Sequence, residues 1–197
     1  MKNTFVECLV VVWAVVLSGC GLSMHDHYSH VRPKLLERDF EGALAYVDSV
    51  KESFYGKDNA LLYFMDKGSL LSDAKRYKES NACFEQAKDV AEALYTESIH
   101  KHIESYFTTD NALPYPGEDF EKVMLHVVSA LNNVGASDLS SGLVEARQVS
   151  EQLTFLNDKY ETKSVYKDDA FTRWLSGKIH EQDQGNDMQA LNDAWID

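Results

Sequence analysis

Apolar residues recur at spacings of three and four along much of the chain, most tightly over Leu61–Ala91. Phe64, Gly68 and Leu71 fall on one face of a helix. A polar turn, residues 72–76, follows. Tyr77, Ser80, Phe84, Ala87 and Ala91 then mark the buried stripe of a second helix. The pattern predicts an antiparallel hairpin. Gly68 would let the two helices approach, which offsets its helix-propensity cost of about 1 kcal/mol. Ser80 is the matching small residue, and Phe84 fills the space beside them. A fainter copy spans Val31–Val50. Leu35 and Leu36 belong to its first helix, residues 39–43 form its turn, and Phe40, Ala43, Val47 and Val50 form its stripe. Phe40 precedes Tyr77 by 37 residues.

The second helix of the central hairpin continues through Val90, Leu94, Tyr95 and Ile99, towards Tyr106. Two prolines and a glycine in residues 110–117 then forbid helix. Asp119 is the expected cap of a new helix, Phe120–Val134, with Glu118 and Glu121 at its positive end. Gly135–Asp138 is a turn, with Ser137 or Asp138 as the next cap. Leu139–Leu156 returns with Leu143, Ala146, Val149 and Leu153 inward. Asn157–Lys167 is a polar connection. Asp168–Gln182 opens a last hairpin with apolar Phe171, Trp174, Leu175 and Ile179, and with Gly177 placed as Gly68 is. Asp183–Asp187 is its turn, followed by Ala190; Trp195 and Ile196 near the end would seal it.

The small–aromatic–small spacing of Gly68, Ser80, Phe84 and Ala87 resembles the tetratricopeptide repeat, whose period is about 34 residues. The few extra residues fall around Tyr55-Gly56. The resemblance implies an all-α fold over residues 31–197, a short solenoid of antiparallel helical hairpins. A wider similarity lies in the run Tyr115–Val123 with His126 and Ala130-Leu131-Asn132, and in Val144-Glu145-Ala146-Arg147 and Trp174-Leu175-Ser176-Gly177. These look like a family of uncharacterised Gram-negative lipoproteins with tetratricopeptide-like helices. That resemblance implies fold and envelope location but no activity. Its members are expected to be longer.

The start of the chain carries an address. A basic beginning is followed by a mostly apolar Phe5–Leu17, uninterrupted from Cys8. This is too short to span a bilayer, which takes about 20 residues, and it suits a secretory signal. Leu17-Ser18-Gly19-Cys20 resembles a bacterial lipobox. The resemblance implies cleavage between Gly19 and Cys20, a diacylglycerol on the Cys20 thiol and an acylated new amino terminus. Gly21, where an aspartate would retain a protein at the inner membrane, implies the outer membrane facing the periplasm. Residues 20–30 are expected to be a tether, whose His25, Asp26, His27 and His30 read as a solvated spacer rather than a metal site. Cys83 would be the one thiol left in the mature domain, with no disulfide partner.

Charge and composition narrow the functions. Three prolines and ten glycines in 197 residues are too few for a loop-rich β fold. A net charge of −13 repels phosphate backbones, which argues against nucleic acid as a partner. No nucleophile–base pair, metal-spaced cluster or phosphate-binding loop occurs, and no cofactor is implied. Tyr115, Glu118, Asp119 and Glu121 could form a partner-docking loop. Glu121 and His126 stand about 140° apart on their helix and do not face each other. The expected function is a non-catalytic adaptor that binds a protein or peptide in envelope assembly, export or cell-wall processes. Two alternatives are an enzyme acting on envelope polymers, and a shortened family member that needs a second chain to complete its solenoid.

Overall fold

The computed structural model describes residues 23–101, 114–160 and 170–183. Every regular element among them is helical: α1 (Met24–Leu36), α2 (Phe40–Ser49), a π-helical turn (Lys51–Tyr55), α3 (Ala60–Asp73), α4 (Tyr77–Lys101), α5 (Asp119–Gly135), α6 (Leu139–Lys159) and α7 (Ala170–Asp183). The expected cleavage site at Gly19 and Cys20 lies outside the described residues, as do Tyr106, residues 110–113, Ala190, Trp195 and Ile196.

Three hairpins, α1–α2, α3–α4 and α5–α6, close on the same backbone turn. Arg38, Lys75 and Ser137 each take a left-handed conformation, with φ of 58, 60 and 62°. The N–H of the next residue reaches back over the helix end: Asp39 to Lys34 O at 2.8 Å, Arg76 to Leu71 O at 2.9 Å, Asp138 to Asn133 O at 2.8 Å. These bonds satisfy carbonyls that a helix end leaves open. Asp39 and Asp138 then cap the following helices, accepting from Gly42 N at 2.9 Å and Ser141 N at 3.2 Å.

Within the central hairpin, α3 and α4 cross where the spacing of small residues placed them. The Ser80 hydroxyl, fully buried, donates to Gly68 O at 2.7 Å. A methyl group added at Gly68 would stand 2.5 Å from Phe84 Cε1, and Phe84 is itself only 2% exposed. Tyr77 lies against Gly135, so the foot of α4 meets the end of α5. Side-chain hydrogen bonds link the first helices of successive hairpins. Tyr28 on α1 bonds Asp66 on α3, and Ser72 on α3 donates to buried Asn132 on α5 at 2.6 Å. Leu175 and Ile179 of α7 pack with Ala130 and Leu143, whereas Phe171 and Trp174 face outward.

The tether expected over residues 20–30 is helical from Met24 onward. His27 and Val31, one turn apart, are buried and draw the start of α1 onto the domain. Ser23 caps the helix by accepting from Asp26 N at 3.1 Å. The apolar stripe was hidden in the sequence by His25, Asp26 and His30 on the outer face.

Gly68→Ala should destabilise the protein despite alanine's better helix propensity, because the Phe84 ring has no room to retreat. The expected loss is about 1–3 kcal/mol, read as a lower thermal midpoint. Phe84→Leu in the Gly68→Ala background should recover part of it.

Candidate functional site

The extra residues between the first two hairpins build a polar cluster. Phe54 and Tyr55 belong to the π-helical turn, which Gly56 ends with φ of 56° and an N–H to Lys51 O at 2.8 Å. Inserted π turns aim side chains that a regular helix would not. Here Tyr55 is 1% exposed, and its hydroxyl reaches two partners, Asp66 Oδ2 at 2.7 Å and His27 Nε2 at 2.9 Å. One phenol has one proton. The Asp66 carboxylate can only accept, so the proton points to Asp66 and the tyrosine oxygen accepts from His27 Nε2–H. The other nitrogen of the imidazole, Nδ1, is buried without a partner.

The His27 ring is caged. It stacks on Phe54 with centroids 4.2 Å apart and meets the edges of Tyr28 and Tyr55. Burial, and secondarily His30, hold its pKa below the ordinary imidazole range, so it is neutral at pH 7. Tyr28 donates to both oxygens of Asp66 at 3.3 Å. Burial pushes the Asp66 carboxyl above its usual range. The two tyrosine hydrogen bonds pull it back only part of the way, and the charge of Glu121 adds to the rise.

The proposed loop residues lie beside this cluster. Tyr115 N donates to Asp58 O at 2.7 Å, which docks residues 114–118 against the start of α3. The Tyr115 hydroxyl and Glu118 N both donate to Glu121 Oε2, at 2.6 and 2.7 Å. Burial first, and then Glu121, push the Tyr115 phenol up to about 12. The cap position differs from the expectation. Glu118 precedes the helix with extended backbone, and Asp119 is the first helical residue. Asp119 instead accepts from Tyr160 at 2.5 Å and Lys159 at 3.1 Å, fastening the start of α5 to the end of α6. The carboxylates of 119 and 121 are thus committed to holding the fold.

His126 finds a partner other than Glu121. Its Nδ1 lies 2.7 Å from Glu145 Oε2, and Lys88 donates to the same carboxylate at 2.8 Å. This half-buried knot joins α4, α5 and α6. Burial raises the Glu145 carboxyl, but His126 and Lys88 more than offset it and hold it below the usual carboxylate range. Neither His27, Tyr55 and Asp66 nor this knot was assembled from sequence. The one signal was the insertion at Tyr55-Gly56.

Compared with protein-family models, with curated proteins and with solved structures, the chain finds no match. No helix among the described residues is long and apolar enough to cross a membrane.

Because the folded pKa of Glu145 is depressed, its stabilisation is complete above the unfolded value of about 4.3 and is lost as pH falls through the folded one. Glu145→Gln should therefore cost about 1–3 kcal/mol at pH 7. The gap between the two proteins should close as pH drops below about 4, measured by denaturant unfolding at each pH.

Proposed function

We propose that this chain is a lipoprotein of the bacterial envelope, anchored through Cys20 and acting as a non-catalytic adaptor. Its hairpins are read as a short tetratricopeptide-like solenoid. Its partner would be a protein segment laid along the first helices α1, α3 and α5. The observation that carries the binding reading is a cleft of ≈ 140 Å³ between α1 and α3, with Val47 of α2 beneath it. Grooves between stacked hairpins suit extended or helical segments. The common turn at Arg38, Lys75 and Ser137 supports the repeat reading. The lipid anchor rests on Leu17-Ser18-Gly19-Cys20, and the envelope location on that motif together with the lipoprotein resemblance of residues 115–132.

One set of cells tests both parts. A photocrosslinking residue at Ser69, on the cleft, should capture a defined partner in the membrane fraction. The same residue at exposed Glu85, on α4, should not. Cys20→Ala should move the protein to the soluble periplasmic fraction. Sedimentation of that variant with membranes would refute the anchor, and equal capture from both positions would refute the groove.

A further inference from the structure

The polar atoms at the Asp66 end of the cleft share one property: those left free are all acceptors. Tyr28 and Tyr55 have given their protons to Asp66, so the Tyr28 oxygen keeps its lone pairs. Asp66 Oδ1 is met only at 3.3 Å, and its side chain is 20% exposed. His27 lines the cleft as a ring, but its bare Nδ1 is buried and adds nothing to this end. Asp66 has no lysine or arginine partner among the described residues; its nearest basic neighbour is neutral His27, at 3.8 Å. Arg32 also borders the cleft, but a full turn further along α1. The rest of the lining is mostly aliphatic, Val31, Leu35, Val47 and Leu70, with Ser69 and Asp73 of α3 beside them.

What this end lacks is a group with positive charge, several donors and no acceptor; lysine and arginine both carry one, and the compact ammonium suits it better than the guanidinium fork, because Tyr55 already occupies Asp66 Oδ2. What the cleft can enclose is small. An engineered cavity of about 150 Å³ takes one benzene, and most small-molecule sites are roughly 300–1,000 Å³. The space is that of a single side chain. From this we infer that the α1–α3 cleft receives one lysine side chain of the bound protein segment, its aliphatic stem between Val31 and Leu70 and its ammonium on Asp66. The inference rests on the groove reading above and gives it a chemistry. The overall charge of −13 would draw such a basic segment in. Burial has raised the cost of ionising Asp66, so the carboxylate gains from a cation brought to it.

The test uses the isotope-labelled protein and the pentapeptide Ac-Ala-Ala-Lys-Ala-Ala-NH2, followed by amide chemical shifts. Saturable shifts should centre on residues 27–35 and 66–73. The norleucine peptide, which has the stem without the charge, should bind at least tenfold more weakly. Asp66→Asn keeps an acceptor for Tyr55 and should reduce the lysine peptide to the norleucine level. Ser69→Leu, an exposed position on the cleft, should fill the space and weaken the lysine peptide with Asp66 intact. Equal binding of the two peptides, an unchanged affinity in Asp66→Asn, or no shift at all would overturn the lysine assignment. n-Butylamine binding as tightly as the pentapeptide would overturn the protein segment as its source. The groove reading fails separately, if Ser69 crosslinks nothing that Glu85 does not.

Discussion

One phenolic proton sets the position of α1. Tyr55 spends it on Asp66 and so must accept from His27. That single oxygen therefore ties α1, the π-helical turn and α3 together. A neutral hydrogen bond contributes only about 0.5–1.5 kcal/mol net, but a buried partner left unmet costs about 1–3 kcal/mol. The arrangement is held less by what the bonds gain than by what separation would cost. The aromatic cage of Phe54 and Tyr28 around His27 closes off water as a substitute partner.

The same logic recurs further along the chain at lower stakes. Asn132, 1% exposed, donates to Ser80 and Asn81 and accepts from Ser72, so α3, α4 and α5 meet at one amide. Glu145 joins α4, α5 and α6 through Lys88 and His126. Each joint satisfies its polar atoms within the protein. The Asp66 end of the cleft is different, since it keeps acceptors in surplus. That surplus is what turns a structural joint into a candidate binding site.

The helical hairpins were legible because their signal is local. Gly68, Ser80 and Phe84 announce their crossing through spacings of three and four, and the structure brings those three residues together. The start of α1 was not legible. Its buried His27 reads as polar, and its neighbours His25, Asp26 and His30 outweigh Val31 in any local pattern. The cap of α5 lies one residue earlier, at Glu118 rather than Asp119, although aspartate is the better cap by type; Glu121, three residues on, accepts from Glu118 N and fixes the helix start there. The link from Tyr28 to Asp66 spans 38 positions. No spacing rule reaches that far, and only the length of the inserted segment hinted that something was built there.

Native-state hydrogen exchange on Tyr55→Phe tests this account most directly. Phenylalanine keeps the ring and its packing but leaves His27 and Asp66 without their common partner. The account predicts at least tenfold faster exchange in the amides of α1 and the π-helical turn, with α5 and α6 unchanged. Protection in α1 equal to that of the unaltered protein would contradict it.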